Sequence, residues 1–393
     1  MQRAVIVGAG LAGLRVAEEL RRAGFGGELV LVGGETHLPY DRPPLSKEVV
    51  RGERDDTTLK PREFFDEEKI ELRLGSAAVG LDTVTREVKL EGGSALGYDE
   101  LVIATGLTPR KIAGLPDLGG VHVLRSIDES LALREELAPG KRALIVGAGF
   151  IGCELAASMN SGGVHVSLVE PQSAPLASVL GEQVGELVGR LHKEAGVDLR
   201  VGVGLAELRG DGRVSSAVLT DGSEIEVDVV AVGIGSIPVT EWLAGSGVDV
   251  DNGVLCDEVG RTNVSHVWAA GDVAAWQVDV GGRKRVEHWS NAGEQAKILA
   301  GALTDTSDPD AAVQVPYFWS DQYGLKIQAL GTVAAGDTVH VVKDDGRKFL
   351  AYYERDGVLA GVVGAGLAGK VMKMRGQIAG AAAIGDALEA ASA

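Results

Sequence analysis

The amino-acid sequence contains the same glycine-rich fingerprint twice, at VIVGAGLAGLRVAEEL from Val5 and at LIVGAGFIGCELAASM from Leu144. In each copy an apolar run, 4–7 or 143–146, predicts a buried parallel strand, and the Gly-x-Gly-x-x-Gly turn after it predicts the start of a helix. This combination is typical of a unit that binds a dinucleotide pyrophosphate at the helix N-terminus. Two copies therefore predict two dinucleotides on one chain.

Each glycine of the fingerprint has its own physical role. The first allows the tight turn, the second lets the backbone approach the pyrophosphate, and the third lets the helix pack closely on the strand. Glycine-rich turns also serve packing alone, but two matched copies favour cofactor binding. The predicted binding residues of the two copies are Gly8, Gly10, Leu11, Ala12 and Gly13, and Gly147, Gly149, Phe150, Ile151 and Gly152.

Length and charge limit the class of protein. A chain of 393 residues exceeds what one hydrophobic core usually supports, so two or three domains are expected. The net charge of -18 argues against nucleic-acid binding and against an anionic membrane surface. The first predicted strand begins at Ala4, which leaves no room for a signal peptide, and no apolar segment approaches the length of a membrane span. We expect a cytoplasmic protein.

The two cysteines, Cys153 and Cys256, are far apart in sequence. They exclude a closely spaced redox dithiol. Cys153 lies in the first turn of a predicted helix, where the pKa of a thiol can fall, although a small buried residue at a helix–sheet contact is the simpler interpretation. The seven histidines form no closely spaced ligand set, so no metal site is expected. Electron transfer would then depend on an organic cofactor.

An acidic residue follows the second strand of each unit. In the second copy HVSLVE ends at Glu170, at the spacing expected for a carboxylate that binds a ribose hydroxyl. No arginine or lysine lies in the following PQSAPLAS, so this site should prefer NADH to NADPH. A solvated acid at a strand end is the alternative. In the first copy ELVLV runs into Gly33 and Gly34, and the acid, Glu35, comes slightly later than the expected spacing.

Six further motifs extend over nearly the whole chain, and with them the sequence resembles the family of FAD-dependent NADH:ferredoxin reductases. They are LPYDRPPLSK (38–47), LVIATGLTPR (101–110), VLRSIDES (123–130), VWAAGDVA (267–274), VEHWSNAGEQAK (286–297) and PYFWSDQYGLKIQ (316–328). The resemblance implies an α/β fold of glutathione-reductase-like architecture. It has two doubly wound, Rossmann-like dinucleotide-binding domains and a C-terminal α+β domain.

Three residues have catalytic roles by this resemblance: Lys47 beside the reactive edge of the flavin, Glu154 at the nicotinamide carboxamide, and Trp319 near the flavin. Locally, Ser46 is expected to cap a following helix with Lys47 in its first turn. A cation is unfavourable there, so another role for Lys47 is indicated, with a solvated lysine as the alternative. For Glu154 the alternative is an acid that complements the helix dipole.

The resemblance also implies further cofactor contacts. VWAAGDVA is expected to form a strand followed by a helix start, where Asp272 binds the ribityl chain of FAD or acts as the N-cap. Arg42 and Arg125 would face the FAD pyrophosphate and the ring region, although Arg125 equally suits an exposed surface. The remaining predicted cofactor-binding residues are Gly34, Glu35, Lys47, Val79, Ala104, Thr105, Gly106, Gly271, His288, Trp289, Trp319, Glu154, Glu170, Gly233, Ile234 and Gly235.

These placements predict three domains. Residues 1–110 and 244–314 form a discontinuous FAD-binding domain, 111–243 an NADH-binding domain, and 315–393 a C-terminal α+β domain. In the last, LKIQALG, DTVHVVK, KFLAYYER and GVLAGVVGAG predict an antiparallel meander, followed by a helical tail from about Leu367 to Ala391.

The resemblance implies a relay in which NADH delivers a hydride to FAD and the flavin passes single electrons to a 2Fe-2S ferredoxin. That ferredoxin would serve a haem-thiolate monooxygenase or a Rieske-type oxygenase. Two groups of basic residues are candidates for ferredoxin docking: a predicted turn with Arg283, Lys284 and Arg285, and the tail residues Lys370, Lys373 and Arg375. The expected oligomeric state is a monomer or a weak homodimer.

Two other functions stay open at this stage. The chain would be an NADH oxidase or small-molecule reductase if its flavin gave electrons directly to oxygen, a quinone or a radical. It would be non-catalytic if NADH binding only changed its conformation or association.

Overall fold

The computed structural model describes residues 2–279, 282–307 and 315–392. The chain forms two compact units, each built from three segments. The first unit contains Met1–Asp41, Thr57–Thr108 and Ser236–Ala312. The second contains Arg42–Asp56, Pro109–Gly235 and Val313–Ala393. The predicted three-domain boundaries stay a prediction, and the boundary at 314 lies outside the described residues.

Strands account for much of the described chain. In chain order they are β1 Arg3–Val7, β2 Glu28–Val32, β3 Ile70–Arg73, β4 Ala78–Asp82, β5 Glu87–Leu90, β6 Ala95–Gly97, β7 Glu100–Ile103, β8 Leu107–Pro109, β9 Val121–Val123, β10 Arg142–Val146, β11 His165–Glu170, β12 Asp198–Val201, β13 Leu205–Asp211, β14 Arg213–Leu219, β15 Glu224–Glu226, β16 Val229–Val232, β17 Ser236–Pro238, β18 Val250–Asp251, β19 Gly253–Cys256, β20 Val267–Ala269, β21 Ala274–Asp279, β22 Gly282–Arg285, β23 Tyr317–Gln322, β24 Leu325–Gly331, β25 Thr338–Asp344, β26 Phe349–Arg355 and β27 Val358–Ala365.

The described helices are mostly short. They are α1 Leu11–Arg22, α2 Arg62–Glu67, α3 Ile127–Glu136, α4 Phe150–Ser161, α5 Ala177–Leu180, α6 Glu182–Glu194, α7 Trp289–Leu303, α8 Ala368–Lys373, α9 Arg375–Ala379 and α10 Ile384–Ser392. Single 3-10 turns occur at Pro43–Ser46, Glu241–Leu243 and Gly271–Val273. Within the described part of the chain, no helix combines the length and apolarity needed to cross a membrane.

The first unit is organised around a parallel sheet of order β20-β7-β1-β2-β3. Its central strand β1 reads Ala-Val-Ile-Val after Arg3 and is buried, as expected for a parallel strand that is covered on both faces. The chain leaves β1 through α1 to reach β2 on one side, while β7 pairs with β1 on the other. This reversal of strand order places the first fingerprint at a topological switch point, where α/β sheets bind ligands.

The second unit repeats this arrangement in a parallel sheet of order β12-β11-β10-β16-β9. Here β10 is the central strand, α4 connects it to β11, and β16 pairs with its other edge. The second fingerprint therefore also lies at a topological switch point. A small antiparallel sheet of order β13-β14-β15 packs its apolar side chains, among them Leu208 and Ala217, into the same core.

The C-terminal sheet is antiparallel, as predicted, but it is not a simple meander. Its order is β23-β24-β27-β26-β25, so β24 pairs with β27 rather than with the next strand in sequence. The apolar strand β27 is buried over most of its length and takes a central position, whereas β25, which carries His340 and Lys343, lies at the edge. The predicted helical tail consists of three short helices, α8, α9 and α10.

Candidate active site

Each fingerprint forms what we call a glycine cradle, the backbone of 8–13 in the first copy and of 147–152 in the second. The first cradle leaves room for a ligand at one glycine only. A Cβ atom on Gly8, whose φ is +123°, would lie 2.0 Å from the Ala104 carbonyl oxygen. One on Gly13 would lie 1.9 Å from the Gly8 carbonyl oxygen, so both positions exclude a side chain. A Cβ on Gly10 would meet no protein atom within 4 Å. The cradle therefore fits a pyrophosphate, for which Gly10 leaves the approach to the N-terminus of α1 open.

The second cradle repeats this geometry. A Cβ on Gly147, whose φ is +99°, would lie 2.4 Å from the Gly233 carbonyl oxygen, and one on Gly152 would lie 2.0 Å from the Gly147 carbonyl oxygen. A Cβ on Gly149 would meet nothing within 4 Å. The same division into two packing glycines and one open glycine thus occurs at the start of α4. This cradle also fits a dinucleotide.

Both predicted acids are held by hydrogen bonds close to their cradles. Glu170 Oε2 accepts a hydrogen bond from the Ala148 amide at 2.7 Å, and its Oε1 accepts one from the Gln172 amide at 3.0 Å. Glu35 Oε2 accepts a hydrogen bond from the Tyr40 hydroxyl at 2.5 Å. An ionised carboxylate has about four lone-pair sites. Glu170, which accepts one hydrogen bond on each oxygen, therefore retains acceptor capacity for a ribose hydroxyl.

Gly271 and Asp272 lie in a 3-10 turn beside the first cradle. The Gly271 amide donates to Gln295 Oε1 at 2.8 Å, and a Cβ on Gly271 would come within 2.5 Å of the Ala12 Cβ. The predicted N-cap role of Asp272 is wrong, because the chain makes one turn here, with Ala270 at its N-cap, and then enters β21. Sequence reasoning missed Gln295, although it lies inside the VEHWSNAGEQAK motif.

Other predicted flavin contacts lie in the same unit. The Thr105 hydroxyl donates to the Val239 carbonyl at 2.7 Å, and Gly106 has a φ of +67°. Trp289 Nε1 donates to Asp41 Oδ1 at 2.8 Å while the Trp289 side chain stays 37% exposed. Burial and the charge of Lys284 lower the pKa of His288 to about 4, so this imidazole is neutral at pH 7.

The second unit contains a buried cluster around Glu154. Glu154 Oε2 accepts from Lys47 Nζ at 2.9 Å and from the Ser46 hydroxyl at 2.5 Å, and Oε1 accepts from the Ser320 hydroxyl at 2.8 Å. Lys47, Ser46, Glu154 and Ser320 are all buried. The structure thus brings together the predicted catalytic residues Lys47 and Glu154, which are remote in sequence.

The local prediction around Lys47 is wrong. Pro43–Ser46 form a single 3-10 turn, and Lys47 follows it instead of entering the first turn of a helix. Ser46 caps no helix, because the next helix, α2, begins only at Arg62. The Ser46 hydroxyl donates instead to the Glu154 carboxylate. Sequence reasoning also missed Ser320, which belongs to the FWSDQ motif next to Trp319. Only its buried position opposite Glu154 identifies it.

Trp319 packs within the C-terminal sheet. Its ring stacks on Tyr317 at a centroid distance of 5.9 Å, and Lys326 Nζ lies 5.4 Å from its centroid. At the start of α4, Phe150 contacts Phe318 edge to face at 5.1 Å, and Ile151 is 41% exposed.

The remaining predicted residues occupy varied positions. Arg42 Nη1 donates to the Arg125 carbonyl at 2.5 Å. Val79 lies on β4 and is 58% exposed. Leu11 belongs to the first turn of α1, and Gly34 follows β2. Ile234 and Gly235 follow β16.

Neither cysteine is placed for thiol chemistry. Cys153 is fully buried, and burial together with the Glu154 and Glu170 carboxylates raises the pKa of its thiol. Burial and the nearby Asp257 carboxylate raise the pKa of Cys256 to about 12. The thiolate, which is the reactive form, is therefore disfavoured at both positions.

Arg283, Lys284 and Arg285 lie on strand β22, so the predicted turn is wrong, while their role in ferredoxin docking stays a prediction. Arg283 Nε donates to the Cys256 carbonyl, and Arg285 pairs with Glu287 and donates to the Asp272 carbonyl. Arg283 therefore links β22 to β19, and Arg285 links β22 to the 3-10 turn at Gly271–Val273. Lys284 is exposed, as are Lys370, Lys373 and Arg375.

The chain has two glycine cradles with the same geometry, a buried Lys47–Glu154 pair and two buried cysteines. These features are typical of an oxidoreductase that depends on dinucleotides. Residues 2–296 match the family model described as pyridine nucleotide-disulphide oxidoreductase, and residues 317–392 match the model described as reductase C-terminal. The chain belongs to the pyridine nucleotide-disulphide oxidoreductase family. It is an enzyme that uses NAD and a flavin.

Similar proteins agree over most of the chain. Rhodocoxin reductase from Rhodococcus erythropolis is 39% identical over 347 residues, which cover 86% of this chain and 80% of that protein. The ferredoxin–NAD(+) reductase component of the biphenyl dioxygenase system of Paraburkholderia xenovorans (strain LB400) is 37% identical over 342 residues, with 86% and 83% covered. The predicted family is therefore confirmed.

The structure also matches a solved one. A chain in the crystal structure of the covalent putidaredoxin reductase–putidaredoxin complex superposes with a TM-score of 0.92 at 30% identity, covering 97% of this chain and 93% of that one. The predicted fold class, with two Rossmann-like domains and a C-terminal α+β domain, is confirmed.

Proposed function

We propose that this chain is an NADH-dependent ferredoxin reductase with FAD, which supplies single electrons to a 2Fe-2S ferredoxin of an oxygenase system. The observation that carries this proposal is the duplicated cradle, in which Gly10 and Gly149 each leave an open approach to a helix N-terminus. The similarity to rhodocoxin reductase, to a dioxygenase-system reductase and to putidaredoxin reductase in complex with putidaredoxin supports the choice of electron acceptor.

The first cradle holds FAD in this proposal, and the second holds NADH. Glu35, Asp272 and Trp289 lie in the unit of the first cradle and would bind the ribose, the ribityl chain and the flavin ring. Glu170 lies at the second cradle, where its carboxylate would bind the adenosine ribose and repel a 2'-phosphate. NADH would therefore be preferred to NADPH.

When bound, the flavin would supply the conversion between a two-electron hydride donor and a one-electron acceptor. In this scheme Lys47 supplies positive charge where negative charge develops on reduction. Glu154 fixes Lys47 in place and accepts a hydrogen bond from the nicotinamide carboxamide, which orients the ring for hydride transfer. No side chain needs to act as a nucleophile. One NADH would reduce two ferredoxins and release NAD+ and a proton.

Three further features of the proposal are predictions from the sequence. They are the cytoplasmic location, the state of monomer or weak homodimer, and the domain limits 1–110 with 244–314, 111–243 and 315–393. The terminal acceptor is proposed as a haem-thiolate monooxygenase or a Rieske-type oxygenase.

The proposal is tested by cytochrome c reduction with the purified flavoprotein, using NADH or NADPH, each with and without a two-iron ferredoxin. We expect rapid reduction with NADH that requires the ferredoxin. Loss of this activity in Gly149→Ala would show that it depends on the second cradle. Turnover that is indifferent to ferredoxin, or that consumes oxygen rapidly, would contradict the proposal and favour an NADH oxidase or small-molecule reductase.

A further inference from the structure

The Glu154 carboxylate has most of its acceptor capacity occupied inside the protein. Its Oε2 accepts from both Lys47 Nζ and the Ser46 hydroxyl, whereas Oε1 accepts from the Ser320 hydroxyl alone. Since a carboxylate offers about four lone-pair sites, the capacity that remains lies on Oε1. A ligand that hydrogen-bonds to Glu154 would therefore share this oxygen with Ser320.

The direction of the Ser320 hydroxyl is fixed by a second residue. Gln322 Nε2 donates to Ser320 Oγ at 3.1 Å, so the serine oxygen acts as an acceptor on that side. Its single proton is then directed to Glu154 Oε1. Ser320 is 0% exposed and Gln322 is 1% exposed, so water does not compete for these bonds.

Both residues come from a rigid element. Ser320 and Gln322 are two positions apart on β23, so their side chains lie on the same face of the strand. The backbone of β23 pairs with β24 at Ser320–Ile327 and at Gln322–Leu325. Backbone pairing therefore fixes the position of β23, and the Ser320 hydroxyl on this strand holds the Glu154 carboxylate on α4 from one side.

We propose that Ser320, oriented by Gln322, is a positioning residue that directs the unused acceptor site of Glu154 toward the nicotinamide carboxamide. The inference rests on the proposed function of Glu154 and extends it to the C-terminal domain, which has no dinucleotide fingerprint of its own. It assigns a role to two polar residues of the FWSDQ motif in addition to Trp319: Ser320 and Gln322 orient the carboxylate that binds the pyridine nucleotide.

The test is a double-mutant cycle on NAD+ binding, measured by titration calorimetry on the oxidised, flavin-loaded protein. Ser320→Ala should weaken NAD+ binding about tenfold, as expected for loss of a buried hydrogen bond to a charged group. Ser320→Thr, which keeps the hydroxyl, should restore most of the affinity. In a Glu154→Leu background, which leaves the Ser320 hydroxyl without an acceptor at this position, Ser320→Ala should change the affinity less than about twofold, because the residue acts through Glu154.

Ser246→Ala is the matched control. The Ser246 hydroxyl is also buried, and it also makes two hydrogen bonds, donating to the Leu243 carbonyl and accepting from the Val248 amide. It should change stability without changing NAD+ affinity. Thermal melting and flavin absorbance check that each variant is folded and loaded, and Glu154→Met replaces Glu154→Leu if the latter does not fold.

Equal effects of Ser320→Ala in the two backgrounds would overturn the inference, because a purely structural serine gives additive changes. A wild-type NAD+ affinity in Ser320→Ala would also overturn it. Failure of the proposed function has a different signature, since ferredoxin-dependent turnover of the unmodified enzyme would be absent whatever the binding cycle shows.

Discussion

Lys47 Nζ lies 2.9 Å from Glu154 Oε2, and the two side chains are only 7% and 8% exposed. Such a buried ion pair contributes little net stability, because the cost of removing both charges from water offsets their attraction. Apolar side chains of similar size would pack at least as well. A need for stability therefore does not explain the pair, which is consistent with the proposed roles of Lys47 and Glu154 at the dinucleotide sites.

Replacing Lys47 by methionine should lower the free energy of unfolding by about 3–5 kcal/mol, since it leaves the Glu154 carboxylate buried without its cation. It should also slow flavin reduction by NADH, because the positive charge near the proposed reaction is lost. Urea denaturation measures the first effect, and anaerobic stopped-flow absorbance measures the second.

The double variant Lys47→Met with Glu154→Leu separates the two effects. It removes both charges, so it should recover part of the lost stability, although the buried Ser46 and Ser320 hydroxyls lose their acceptor. Flavin reduction by NADH should stay slow. A double variant that reduces its flavin at the normal rate would contradict a functional role for the pair.

Gly149 and Gly152 should respond to alanine in opposite ways. In Gly149→Ala the new methyl group meets no protein atom within 4 Å, so the melting temperature should change little. NADH binding should weaken at least about tenfold, because the methyl group occupies the approach of the pyrophosphate. Calorimetry with NAD+ measures this effect.

In Gly152→Ala the methyl group would lie 2.0 Å from the Gly147 carbonyl oxygen, so the turn must distort and stability should fall. Melting curves of both variants make the comparison. An unchanged NAD+ affinity in a folded Gly149→Ala protein would show that the second cradle does not bind the coenzyme pyrophosphate.

The sequence predicted the two parallel sheets well because each fingerprint is local. The apolar run ending at Val7 and the glycines after it lie within one βαβ unit, and the run ending at Val146, its glycines and Glu170 lie within a second. In each unit the spacing reflects one turn and one helix. The order of the C-terminal sheet was not predictable in this way. Whether β24 pairs with β25 or β27 depends on which strand is buried on both faces.

The site was predicted only in part. Motif similarity indicated Lys47 and Glu154 separately, but nothing in their local sequence shows that they form an ion pair. Ser320 and Gln295 were missed for the same reason, since their partners are brought close by the fold alone. The error at Ser46 has a local cause: a helix was expected after the proline pair, and the chain makes a single 3-10 turn instead.

Replacing Glu170 by glutamine should reduce the preference for NADH over NADPH. The carboxylate accepts hydrogen bonds from the Ala148 and Gln172 amides, and its charge should repel a 2'-phosphate. We expect kcat/KM for NADH to fall and that for NADPH to rise. Steady-state rates with both coenzymes give the ratio. Glu182→Gln, at the first residue of α6, is a charge-matched control that should leave the ratio unchanged.

Acidification should destabilise the second unit through His192. Burial lowers the pKa of this imidazole to about 4, an effect partly opposed by Gln322, and its Nδ1 shares a hydrogen bond of 2.7 Å with the Tyr323 hydroxyl. The unfolded chain binds a proton near its usual pKa of about 6.5, whereas the folded protein does not. Stability should therefore fall as the pH drops from about 6.5 toward 4, by up to roughly 3 kcal/mol.

The measurement is the melting temperature as a function of pH for the wild type and for His192→Gln. The variant should be less stable at pH 7 but should show a shallower decline between pH values of about 6.5 and 4. Parallel curves for the two proteins would show that other groups account for the acid sensitivity.

Reversing charge on helix α8 should weaken ferredoxin-dependent turnover. Lys370 and Lys373 are exposed and three positions apart on α8, so this helix presents two cations on one face. If an acidic ferredoxin docks there, Lys370→Glu with Lys373→Glu should raise the KM for ferredoxin about tenfold and reduce the dependence on salt. Reduction of a small dye by NADH should stay unchanged.

Lys284→Glu on strand β22 makes the same test at the other basic site, and it avoids Arg285, which is paired with Glu287. A ferredoxin KM that is unaffected by both changes would place the docking surface elsewhere.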